Sequence, residues 1–171
     1  MNNSRSKSYF LTILLLLCLI LPLAANARPA KSKVKNAYIA QINKMSQSYN
    51  TFRTYFLLDL TGDGIPELFV RTGTCEADAQ LHIYTYTTSL KRLATIGASH
   101  SVFYQGNGYF VLMSGHMGSW CTYKFYLKNG KLMKKRLGDG VLKETDYDYP
   151  EPKEIGVYEV SFDNLGPIRS M

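Results

Sequence analysis

"TYFLLDLTGDGIPELFVRTG", residues 54–73, decides the fold of this chain. Oxygen-bearing side chains stand at Asp59, Thr61, Asp63 and Glu67, set around Gly62, Gly64 and Pro66. The runs to either side, "TYFLLDL" and "ELFVRTG", are apolar, aromatic and β-branched, which is the composition of strands. A helix–loop–helix calcium site would need helical patterns here and a bidentate acid at the twelfth loop position, where Val70 stands. The stretch reads as strand–loop–strand.

Counted from Asp59, the side-chain oxygens fall at positions one, three, five and nine. Gly64 occupies position six, where a tight turn needs a residue without a Cβ. Calcium takes six to eight hard oxygens at loosely fixed angles. The expected ligands are therefore Asp59, Thr61, Asp63 and Glu67, with the backbone carbonyl of Ile65 and water completing the shell. Three carboxylates give a weak site, with a dissociation constant of about 10⁻⁴–10⁻³ M, and a structural role: the crowded acids repel until a cation joins them. The competing reading is an acidic turn, since Asp and Gly are common turn formers. A bare turn has no use for Glu67 beyond the proline.

"DLTGDGIPEL" resembles the strand–loop–strand calcium loops of FG-GAP and integrin-like repeats, Asp-x-Asp/Asn-x-Asp-Gly-x-x-Asp. It departs from them at Thr61 and Glu67 and occurs in one copy. A longer stretch, roughly residues 52–137, is similar to a group of uncharacterised secreted or lipoprotein-type bacterial proteins. The matching segments are "RTGTCEAD" (71–78), "IYTYTTS" (83–89), "ASHS" (98–101), "SGHMGS" (114–119) and "KNGKL" (128–132). The likeness implies a shared domain and brings no activity with it.

Upstream, Val34, Tyr38, Ile42, Met45 and Tyr49 recur at steps of three and four, one face of an amphipathic helix with Ser32 as its cap. Downstream, everything reads as strands and turns. "GNG" at 106–108 and Asn129-Gly130 mark hairpins; "GDG" at 138–140 marks a further turn, and "DYDYPEP" (146–152) breaks regular structure. The expected fold is α+β and mostly β: one N-terminal helix packed on a single curled antiparallel meander sheet. No period of 20–50 residues repeats, so a complete propeller or solenoid is not expected.

Arg5 and Lys7, the apolar run 9–23 and "ANA" at 25–27 spell a secretory signal peptide over residues 1–27. An uncleaved anchor would need a longer span, and Leu17 before Cys18 argues against lipidation. Residues 28–33 read as a flexible basic leader and 34–171 as a single globular domain. Beyond the signal, 18 basic against 13 acidic residues leave a charge of +5. The basic residues cluster in "RPAKSKVK" and "KNGKLMKKR", a tail and a hairpin, which reads as a solvated face and not as a nucleic-acid site. Cys75 and Cys121, an even pair in an exported chain, allow one disulfide, with two unpaired core thiols as the alternative.

A second constellation is Glu76, Asp78, His100 and His116, all in short loops between apolar strands. Converged, they would bind a transition metal or act as acid and base; apart, each caps its own turn. His82 alternates within a strand and is expected to face solvent or an interface. Tyr84, Tyr86, Tyr104, Tyr109 and Trp120 line a sugar or peptide face in one reading and form core pairs in another. The expected function is an exported domain, secreted, periplasmic or on the cell surface. It binds a protein or glycan, carries a structural Ca²⁺ and performs no catalysis. No nucleic-acid partner and no membrane span after cleavage are expected. The rivals are a hydrolase built on Glu76, Asp78, His100 and His116, and a small secreted inhibitor.

Overall fold

A computed structural model of the chain describes residues 28–48, 52–141 and 155–171. The expected signal peptide, Tyr49 and the "DYDYPEP" segment lie outside the described residues. The fold is mostly β, with two antiparallel sheets and one main helix. Among the described residues no helix is long and apolar enough to cross a membrane.

Helix α1 (Lys31–Ser46) buries Val34, Tyr38, Ile42 and Met45, the residues whose spacing predicts its apolar face. It starts earlier than that pattern. Ala30 is the N-cap, without a side-chain cap bond, and its carbonyl accepts the Lys33 and Val34 N–H groups at 2.9 and 3.3 Å. Ser32 is therefore inside the first turn and is not the cap, and half of the expected basic leader is helical.

The first sheet holds β1 (Phe52–Leu58), β2 (Glu67–Gly73), β3 (Gln80–Tyr86), β4 (Leu90–Gly97) and the short β10 (Val160–Ser161), in the order β10-β1-β2-β3-β4. The second holds β5 (Ser101–Gly106), β6 (Tyr109–His116), β7 (Ser119–Lys128), β8 (Lys131–Val141) and β9 (Ile155–Gly156), in the order β8-β7-β6-β5-β9. A five-residue helix, α2 (Gly166–Ser170), closes the chain and buries Ile168 against the α1 side.

Two sheets stand where one curled sheet is expected, and the reason lies in the inner faces. Phe56, Phe69 and Ile83 of the first sheet share one core with Phe103, Phe110, Leu112 and Phe125 of the second. A single sheet would leave one apolar face of β5–β8 in water; folding it onto β1–β4 buries both at about 25 cal/mol per Å². The joint is a ladder of rings. Phe56 stacks on Phe69 at 4.6 Å, Phe69 meets Phe110 edge-on at 5.2 Å, and Phe110 stacks on Phe125 at 4.9 Å. The opposite face of the first sheet takes α1, with Tyr55, Leu68, Val70 and Tyr84 packed against Val34, Tyr38 and Ile42. Strand β2 is the middle of these three layers, and all seven of its residues are buried.

Asn129-Gly130 forms the expected hairpin, with φ of 52° and 71° at its two residues. "GDG" at 138–140 does not turn. It continues β8, because the Trp120 ring lies across Gly138 and Gly140, where added Cβ atoms would come within 3.3 and 2.9 Å of it. His82 is a core residue and not a surface one. It is held between the hydroxyls of Thr72 and Thr95 at 2.9 and 3.0 Å.

Candidate functional site

The Asp59–Glu67 loop is folded around its own carboxylates. Asp59 Oδ1 accepts the N–H groups of Gly62 (2.7 Å) and Thr61 (3.2 Å), Asp59 Oδ2 accepts that of Gly64 (2.8 Å), and Asp63 Oδ1 accepts that of Ile65 (2.8 Å). Gly62 and Gly64 supply the positive φ this requires, 74° and 79°. Two apolar side chains anchor the loop in different layers. Leu60 enters the core between the sheets and Ile65 enters the core under α1. The buried Tyr38 hydroxyl donates to the Pro66 carbonyl at 2.9 Å, tying helix to loop. Burial, then the Glu67 and Asp63 charges, push that phenol above its ordinary range.

Of the five expected ligands, Thr61 and Asp63 are exposed and Asp59 is half-buried. Glu67 does not join them. It is 1% exposed, Oε2 accepts the Leu60 N–H at 2.8 Å, and Oε1 accepts the Thr85 hydroxyl at 3.0 Å. Burial raises its carboxyl above the usual range against the lowering effect of these two bonds. Without Glu67 the expected ligands come down to Asp59, Thr61, Asp63 and the Ile65 carbonyl, and both Asp59 oxygens already accept N–H groups of the loop. Among the described residues no group of three or more His, Cys, Asp or Glu side chains is placed to hold a metal. Arg28 brings a positive group to the same loop, its guanidinium 3.5 Å from where a Cβ on Gly64 would stand.

The histidine loops converge and the carboxylates do not. His100 and His116 stack with ring centroids 4.2 Å apart and planes 15° apart. The backbone sets this up: His100 N–H donates to the Glu76 carbonyl at 3.2 Å, and Gly115 N–H donates to the His100 carbonyl at 3.1 Å. Stacked rings hold their in-plane lone pairs in two near-parallel planes, so an ion beside the stack cannot lie in both ring planes. Glu76 pairs with the buried Arg71 at 2.7 Å. Asp78 accepts the Thr74 hydroxyl and the N–H groups of Thr74 and Cys75, bonds that hold its carboxyl below the usual range. Cys75 and Cys121 are separate thiols, the first exposed and the second half-buried in β7. Cys121, His116, Trp120 and the Arg136–Asp139 ion pair line a cavity of about 450 Å³.

The outer face of the second sheet carries a different arrangement. Phe110, Leu112 and Phe125 point to the core, so Tyr109, Trp120, Lys124 and Tyr126 point away from it. The Tyr109 ring lies flat on Gly106, where a Cβ would stand 2.2 Å from it, and Lys124 Nζ sits 3.4 Å from the ring centroid. Trp120 lies in the same way on Gly138 and Gly140. A groove of about 400 Å³ runs past Tyr109, Lys124, Tyr126 and Lys135. At Asn107–Tyr109 it adjoins a larger one of about 830 Å³ that reaches Asp59 and Gly62. Tyr104 shares this face, while Tyr84 and Tyr86 pack on the α1 side. The lysine positions were available to sequence reasoning: counting outward from Asn129-Gly130 places Lys128 opposite Lys131 and Lys124 opposite Lys135.

Comparison of the chain with protein-family models, with curated proteins and with solved structures gives no match.

Proposed function

We propose that this chain is an exported binding domain in which the Asp59–Glu67 loop is a weak structural calcium site. One observation carries the reading: the loop seats Leu60 in one core and Ile65 in the other while Thr61 and Asp63 stay exposed and Asp59 half-exposed. A cation held there would lock three layers at one point, beside the groove of about 830 Å³ that Asp59 and Gly62 help to line. The ligands in this reading are Asp59, Asp63, Thr61 and the Ile65 carbonyl; Glu67 supports the loop from inside. The resemblance to FG-GAP loops supports the same assignment, and the signal-like segment 1–27 supports export. The two meanders form one path that curls at Ala98–His100, and α1 backs the first of them.

Calorimetric titration with Ca²⁺ tests the site. The expected dissociation constant is about 10⁻⁴–10⁻³ M, with the heat abolished in Asp59→Asn. Heat that is absent, or unchanged in the variant, overturns it. The hydrolase reading draws on the His100–His116 stack alone. Glu76 is bound to Arg71 and Asp78 to its own turn, so of the four residues of that reading only the two imidazoles meet.

A further inference from the structure

We propose that the outer face of the β7–β8 hairpin binds an acidic polysaccharide, a chain of sugars bearing spaced carboxylates. The proposal rests on the binding-domain reading and names the ligand class. Lys124 faces Lys135 directly across the strands, and Lys128 faces Lys131. Like charges directly opposed on one face of a sheet repel. Among the described residues none of these four lysines has a carboxylate partner; the ion pairs there are those of Arg71 and Arg136.

Lysines on an edge strand also guard against stray strand pairing. That accounts for Lys131 and Lys135 on β8, but not for Lys124 on β7, which is already paired on both sides. Nor does it account for Lys124 being held over the Tyr109 ring, which fixes the position of its ammonium. An anion between the opposed lysines would relieve the repulsion.

The spacing selects the polymer. The two lysine pairs are four residues apart, about 13 Å along the strand, with Tyr126 and Met133 between them. Trp120 lies another four residues beyond Lys124, half-exposed and against the glycine backbone of β8, a platform for the C–H face of a sugar ring. A nucleic-acid strand carries a charge every 3.4 Å or so, more than the two lysine pairs can match along this face. A uronic-acid chain carries one carboxylate per sugar ring, so some of its carboxylates meet the lysine pairs while its hydroxyls face the residues between them.

Trp120 is the only tryptophan in the chain, so its fluorescence reports this face directly. The full protein would be titrated with polygalacturonate, with neutral dextran, with a single-stranded DNA and with anionic phospholipid vesicles. The expected result is a saturable fluorescence change with polygalacturonate only, weakened by salt. Its apparent affinity should fall tenfold or more in Lys124→Gln/Lys135→Gln, a variant that touches neither core. Trp120→Phe, read by affinity electrophoresis, should weaken retardation by the same polymer. Polygalacturonate binding that survives the double lysine change overturns the proposal, as does equal or tighter binding of DNA or vesicles. Binding of dextran instead, lost in Trp120→Phe, overturns the acidic ligand but keeps the binding domain. Silence toward all four probes overturns the proposed face, while calcium binding, read separately by calorimetry, tests the loop on its own.

Discussion

Glu67 stands at the position where a calcium loop would offer a ligand, yet its carboxylate closes the loop from within. Glu67→Ala would leave the buried Leu60 N–H without a partner, a loss of about 1–3 kcal/mol readable in urea unfolding. Glu67→Gln keeps an acceptor for Leu60 and removes the charge. Because burial raises the folded carboxyl, its contribution to stability is complete below the ordinary carboxylate pKa of about 4.3 and is lost as pH rises through the folded value. The stability of Glu67→Gln relative to wild type should therefore climb with pH above about 4.3; a flat difference would contradict the assignment. Met117 offers a second residue-scale test. It sits at φ 50°, is 88% exposed, and precedes Gly118 in a two-residue turn. Met117→Asn should stabilise by about 1 kcal/mol, since Asn tolerates that backbone better. An unchanged urea midpoint would show no strain there.

At the scale of elements, a local sequence signal suffices where local chemistry decides. Val34, Tyr38, Ile42 and Met45 gave the helix, and Asn129-Gly130 gave its hairpin. "GDG" at 138–140 was misleading because its glycines serve a ring eighteen residues or more upstream, Trp120, and sequence neighbours carry no trace of that. Gly140→Ala would push the ring off its seat. The expected outcome is a red-shifted, more quenchable tryptophan emission with the hairpin still formed; emission identical to wild type would mean the ring has another resting place. His82 is buried, and not solvent-facing, for a related reason. Alternation gives its face, but not that Thr72 and Thr95 close over that face.

For the whole molecule, the mostly β character was legible in the sequence, and the division into two sheets was not. The Phe56–Phe69–Phe110–Phe125 ladder joins residues far apart in the chain, and no local period encodes it. The same holds for the candidate sites. The oxygen spacing of Asp59, Thr61 and Asp63 is local and could be read, whereas the inward turn of Glu67 depends on Thr85 from β3. The meeting of His100 with His116 follows from the β5–β6 hairpin register, which brings His100 opposite Gly115, one residue from His116. What unites the molecule is the Asp59–Glu67 loop, with a side chain in each core and a hydrogen bond to α1.

The most direct test of that loop is thermal unfolding of the protein in calcium and in chelator, beside Asp63→Ala. With calcium tenfold above its dissociation constant, binding to the folded state adds about 1.4 kcal/mol. For a chain of this size the midpoint should rise by roughly 3–6 °C in wild type and not in the variant. An identical midpoint in calcium and chelator would contradict the ion site, leaving a loop held by its own N–H groups with Arg28 beside it.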